Sequence, residues 1–201
     1  MGDTGEDGWD VVPLGGDLGT LTPFATVQVL PQCAGVFDEF RGVVSGEKPT
    51  GRGRVNLRRS RADDYRFLVT PDVDAQIVVF ADSVAAGATY DALAGLLDGD
   101  DLESCWNTSV ADAPVGSSSP DRASLKRCEA TGAAPNGGVA TGFCLTVTND
   151  QGDTPVSYEA RAWRHGNAVV LVTIGGDPDG VTVPTANVVK AIEERLTGLE
   201  R

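Results

Sequence analysis

Val156-Ser157-Tyr158-Glu159-Ala160-Arg161-Ala162-Trp163-Arg164-His165-Gly166-Asn167-Ala168-Val169-Val170-Leu171-Val172-Thr173-Ile174 reads as two strands joined by a tight turn. Val156, Tyr158, Ala160 and Ala162 point one way, and Ser157, Glu159, Arg161 and Trp163 the other, which is the period of a pleated strand. Gly166 and Asn167 tolerate positive φ, so Arg164-His165-Gly166-Asn167 is the clearest hairpin connection in the chain. The strands then run over about residues 155–164 and 168–174.

Outward from this hairpin the pattern continues in both directions. Upstream, residues 123–130 and 139–148 read as two more strands of an antiparallel meander. Downstream, Pro184 opens a helix whose Ala186, Val189, Ile192 and Leu196 form an apolar stripe. In the first half, strands are expected at 65–70 and 75–82, with Pro71-Asp72-Val73-Asp74 as a turn between them. Asp82 or Ser83 caps an Ala-rich helix carrying Val84, Ala88, Leu93, Leu96 and Leu97 on one face, with Gly99 as its stop. Cys105 follows that helix, and residues 112–121 have loop composition. Residues 24–30 form a short strand or helical turn, and residues 45–64 read as a turn-rich polar stretch. The order predicts an α+β fold, a mostly antiparallel sheet with helices packed on one face.

Residues 1–22, rich in Gly, Asp and Thr, have the composition of a flexible tether, and residues 23–201 form a single domain. The chain is 201 residues long and 41% apolar, enough for a core of its own. A net charge of −13 argues against nucleic-acid binding and against docking on an anionic membrane surface. No segment has the roughly 18 consecutive apolar residues that a membrane-spanning helix requires.

Cys33, Cys105, Cys128 and Cys144 lack the close spacing that zinc or a redox pair requires. An even count scattered this way reads as two disulfides and places the protein outside the reducing cytosol; the alternative is a cytosolic chain with four free thiols. Met1-Gly2-Asp3-Thr4-Gly5-Glu6-Asp7 has no basic and apolar start, so a leader or membrane anchor is expected upstream in the full-length protein. Three pairings are open to the cysteines. Cys128 and Cys144 fall in neighbouring strands, which would leave Cys33 and Cys105 to tie the N-terminal segment to the end of the first helix.

Little in the chain points to catalysis. His165 is the only histidine and lies in the hairpin turn, where an exposed residue is expected rather than a base. Nucleophile-elbow and phosphate-loop motifs are absent. The acidic clusters Asp98-Gly99-Asp100-Asp101, Asn149-Asp150-Gln151-Gly152-Asp153 and Gly176-Asp177-Pro178-Asp179-Gly180 lack a full calcium-ligand set and read as turns. Asn107-Thr108-Ser109 matches a glycosylation sequon, which matters only in a glycosylating host. Six of the 16 Lys and Arg residues lie between Lys48 and Arg61. Of these, Arg52, Arg54, Arg58 and Arg59 are the candidate ligand-binding residues, able to hold a phosphate, sulfate or carboxylate. The competing reading is an exposed loop offsetting Asp63 and Asp64.

A set of landmarks resembles the extracellular sensor domain of mycobacterial serine/threonine kinases of the kinase H type, and related secreted actinobacterial lipoproteins. The residues that carry it are Pro31-Gln32-Cys33, the strand at 75–82 feeding a helix with Tyr90, Leu93 and Leu96, then Cys105-Trp106, Cys128 and Cys144. Arg164-His165-Gly166-Asn167-Ala168-Val169-Val170-Leu171-Val172 and the helix from Pro184 complete it. The resemblance implies disulfides Cys33–Cys105 and Cys128–Cys144, a single α+β domain with a large cleft, and no known catalysis. The chain departs from the family in placing Trp106 after its cysteine and in the basic stretch 48–61.

The expected function is therefore a non-enzymatic, extracytoplasmic ligand-binding or sensor domain of the bacterial cell envelope. It would need no cofactor or metal, take an unknown small molecule or envelope component, and meet the membrane only through an N-terminal anchor absent from this chain. The alternatives are a secreted hydrolase and an envelope protein–protein interaction module.

Overall fold

The computed structural model describes residues 9–13, 33, 35, 36, 38, 47–59, 72–111, 122–149, 152–176 and 185–199. Seven strands form one sheet: β1 (Trp9–Pro13), β2 (Gly51–Arg59), β3 (Asp72–Val79), β4 (Arg122–Cys128), β5 (Val139–Asn149), β6 (Gly152–His165) and β7 (Ala168–Gly176). Their spatial order is β1-β2-β3-β7-β6-β5-β4, and every neighbouring pair is antiparallel. Helices α1 (Ser83–Asp98), α2 (Asp101–Ala111) and α3 (Thr185–Leu199) pack against it, with a 3-10 turn at Pro135–Gly137.

The β6–β7 hairpin forms where alternation places it. His165 pairs with Ala168, and Gly166 takes φ 57 in the turn. The side chains sort by strand parity into two cores. On one face Phe143, Ala160, Ala162, Val169 and Leu171 meet Leu93 and Leu97 of α1 and Leu102 of α2. On the other, Val73, Ala75, Trp163, Val170 and Val172 meet Val189 and Leu196 of α3. The α+β class, the antiparallel sheet and its helices are as expected. The one-face arrangement holds for α1 and α2, whereas α3 lies on the reverse face. The cause is visible in β7, whose unbroken apolar run Ala168-Val169-Val170-Leu171-Val172 presents hydrocarbon to both sides and requires cover on each.

Helix α1 begins where a cap residue stands. Asp82 takes extended backbone and its carboxylate accepts from Val84 N at 3.0 Å and Ala85 N at 2.9 Å. It ends at Gly99, whose N–H donates to Gly95 O at 2.9 Å. Arg127 of β4 then donates from Nη2 to Leu97 O at 2.7 Å and to Gly99 O, placing a cation on the negative end of the helix. Arg127 Nε also lies 3.7 Å from Asp100, so one acidic cluster is met by arginine.

Local readings are corrected at several points. Residues 51–59, expected within a turn-rich polar stretch, form β2, paired with β1 on one side and β3 on the other. Asp72 to Asp74, expected in a turn, belong to β3. Cys105 does not trail a single helix but sits within α2. In the first two cases glycine, arginine and aspartate hide a strand whose pairing comes from distant segments. Residues 9–13, read as part of a tether, form β1 in register with residues 55–59. The expected elements at 24–30, 65–70 and 112–121, and Pro184, lie outside the described residues.

Cys33 pairs with Cys105 and Cys128 with Cys144, at Cα–Cα distances of 5.5 and 5.8 Å. The first bridge ties Cys33 to α2 inside the α1-side core. The second crosses β4 and β5 diagonally, since Cys128 stands opposite Gly142 in the ladder. Two such bridges point to an extracytoplasmic location. Among the described residues no helix is long and apolar enough to cross a membrane.

Candidate functional site

The arginines of β2 alternate along the strand, which puts Arg52 and Arg54 on the same sheet face as Asp74, two positions along on β3 from Gln76. Arg54 grips the Asp74 carboxylate from two nitrogens: Nε donates at 3.0 and 2.9 Å and Nη2 at 2.7 Å. Gln76 Nε2 donates to the same carboxylate at 3.1 Å. Asp74 is 1% exposed, so a buried anion holds Arg54 within the fold. Arg52 is exposed; the side chains of Arg58 and Arg59 lie outside the described residues.

A different place has the geometry of a site. Between the first half of α1, the turn Pro135–Gly137 and the β6–β7 connection lies a cleft of about 550 Å³, lined by Ser83, Tyr90, Asp91, Asn136, Arg164 and His165 among others. Three short-range devices hold its walls. Gly138 lets the turn press on β6: a Cβ there would stand 2.2 Å from Ala162 O and 2.7 Å from Trp163 Cβ. Asn136 takes the left-handed φ of 54 and donates from Nδ2 to Arg164 O at 3.4 Å and toward Glu193 at 3.5 Å. Glu193 of α3 also accepts from Trp163 Nε1 and lies 3.2 Å from His165 Nδ1, so one carboxylate ties α3, the turn and the hairpin together.

Three of the polar groups facing the cleft, those of Arg164, Tyr90 and Asp91, are largely uncommitted among the described residues. Arg164 leaves β6 and crosses α1 over Gly87, where a Cβ would come within 2.9 Å of Nη1; among the described residues the only hydrogen bond of its side chain is a 3.5 Å contact to Ser83 O. Tyr90 packs its ring against the α1-side core, and neither its hydroxyl nor the exposed Asp91 carboxylate has a hydrogen bond or ion pair among the described residues. A smaller cavity of about 200 Å³ continues along α1 past Asp91 toward Val36, Ala92 and Leu96.

His165, expected as an exposed turn residue, has a side chain only 15% exposed and is held by Glu193. Sequence reasoning did not assemble Ser83, Tyr90, Asp91, Asn136 and Arg164 into a site, because three separate segments contribute them and no spacing links them. Arg164 and Tyr90 were visible only as parts of a turn and a helix. No group of three or more His, Cys, Asp or Glu among the described residues is arranged to hold a metal ion.

The fold and the cleft together define a class: a disulfide-stapled α+β domain with a polar pocket at one end of its sheet. Comparison with protein families and with curated proteins finds no match. Among solved structures the chain is similar to the extracellular domain of PknH from Mycobacterium tuberculosis, at 14% identity, covering 84% of this chain and 76% of that one, with a TM-score of 0.45.

Proposed function

We propose that this chain is a non-enzymatic, extracytoplasmic ligand-binding or sensor domain of the bacterial cell envelope, tethered through an anchor N-terminal to it, and that the α1–hairpin cleft is its ligand site. The observation that carries the reading is the cleft itself. Its volume falls in the range of small-molecule sites, and it converges Tyr90, Asp91 and Arg164, whose polar ends have little or nothing to bind among the described residues. The disulfides Cys33–Cys105 and Cys128–Cys144 suit an oxidising compartment. The arginines of β2 are a weaker candidate, since Arg54 already serves Asp74.

Amide-shift mapping tests the reading. A panel of amino acids, neutral sugars and inorganic phosphate is titrated into the isotope-labelled chain. Saturable shifts at Ser83, Tyr90, Asp91, Asn136 and Gly166 are expected, lost in an Asp91→Ala, Arg164→Ala double variant. Saturable shifts confined to β2 around Arg52, unaffected by that double variant, would move the site there instead.

A further inference from the structure

Resting on the reading of the cleft as a ligand site, the charge layout of its wall narrows the ligand class. Arg164 places its guanidinium against α1 at Gly87, and Asp91 stands four residues further along the same helix. Four residues advance an α-helix by about 6 Å and return to nearly the same face. A cation and an anion therefore stand side by side on one wall, about one helical turn apart, yet they form no ion pair with each other and neither has another charged partner among the described residues. Unlike charges this close would ordinarily close on one another, or on a ligand carrying both signs.

A purely anionic ligand drawn to Arg164 would sit against Asp91, and a purely cationic one drawn to Asp91 would sit against Arg164. A molecule carrying both signs at short separation satisfies the two together. In an α-amino acid the ammonium nitrogen and the carboxyl carbon are about 2.5 Å apart. One such unit can reach both side chains through charge-assisted hydrogen bonds, the carboxylate taking the guanidinium and the ammonium the Asp91 carboxylate. The cleft volume of about 550 Å³ leaves room for a side chain beside the Tyr90 ring. We propose that the cleft takes a compact zwitterion, an α-amino acid or a free amino-acid unit, with its carboxylate on Arg164 and its ammonium on Asp91.

The test uses the whole chain and each standard L- and D-amino acid in turn, followed by amide shifts and calorimetry. At least one amino acid is expected to shift Tyr90, Asp91 and Gly166, and its N-acetyl and carboxamide derivatives to bind at least tenfold more weakly. Asp91→Asn should abolish discrimination against the N-acetyl form only, and Arg164→Gln discrimination against the carboxamide form only. Both residues are exposed, and the unfolding midpoint of each variant verifies that the fold is intact. Equal binding of the blocked derivatives, or cleft shifts from glucose or phosphate with none from any amino acid, would overturn the zwitterion assignment while leaving the cleft as a ligand site. No cleft shift from any of these compounds would overturn both.

Discussion

Asn107 of α2 holds the backbone of Leu125 in β4 as a neighbouring strand would: its Oδ1 accepts from Leu125 N at 2.9 Å and its Nδ2 donates to Leu125 O at 2.9 Å. Glu103, one helical turn earlier, accepts from Arg127 N at 3.0 Å. The edge of the sheet at β4 is thus covered by side chains of a helix, which satisfies its open hydrogen bonds and blunts it against pairing with another chain. The asparagine of the Asn107-Thr108-Ser109 sequon has its amide committed to this clasp.

Replacing Asn107 with alanine leaves both backbone groups of Leu125 without their partner. We expect a loss of about 1–3 kcal/mol in denaturant unfolding. Asn107→Asp, which keeps the acceptor and loses the donor, should fall between. Equal stability of all three proteins would show that water replaces the clasp.

Gly138 and Gly53 should answer alanine in opposite ways. At Gly138 the new Cβ meets the Ala162 carbonyl and Trp163, and a cost of about 2–3 kcal/mol is expected from the forced backbone shift. At Gly53, in the middle of β2, nothing lies within 4 Å, and alanine should gain about 0.5 kcal/mol by restricting the unfolded chain. Thermal unfolding of the two variants side by side measures the contrast.

Arg54→Ala should destabilise the fold by about 3 kcal/mol, because it strands the carboxylate of Asp74 at 1% exposure. The companion Arg54→Ala, Asp74→Ala protein should recover part of that loss. A single variant with wild-type stability would return Arg54 to the pool of surface arginines open to a ligand.

Glu193→Ala removes the acceptor for the indole N–H of fully buried Trp163 and releases His165 and Asn136. A loss of about 1–3 kcal/mol is expected, with an upfield move of the Trp163 indole proton in the NMR spectrum. Glu193→Gln, which keeps an oxygen for the indole, should retain most of the stability.

The bridges differ in the length of chain they close. Cys33–Cys105 spans 72 residues and Cys128–Cys144 spans 16, so chain entropy assigns them about 4 and about 3 kcal/mol respectively. Paired serine variants of each bridge should rank in that order by urea midpoint. In the untreated protein no thiol should be alkylated, and in the reduced, unfolded protein four should be.

Elements whose evidence is local were legible in the chain. The alternation of 156–163, the turn at Gly166, the cap at Asp82 and the stripe Val189, Ile192, Leu196 each act within one strand or a few helical turns, and all appear where expected. β2 was not legible, because Gly51, Arg52, Gly53 and Arg54 have loop composition and become a strand only when β1 and β3 supply ladders and Asp74 supplies a counter-charge. The separate helix around Cys105 was missed, since Gly99 reads equally as a stop and as a short break between two helices.

The sequence by itself determined the α+β class, the antiparallel hairpin and meander, and a cysteine content suited to two bridges, because periodicity and turn chemistry act over a few residues. Tertiary structure alone decided that α3 covers the face opposite α1, that Arg54 is occupied by Asp74, and that Tyr90, Asp91, Asn136 and Arg164 share one cleft. Arg54 and Asp74 stand 20 positions apart, Tyr90 and Arg164 74, and the facing ends of α1 and α3 87, and only the order of strands in the sheet, with β7 between β3 and β6, brings such segments within reach of one another.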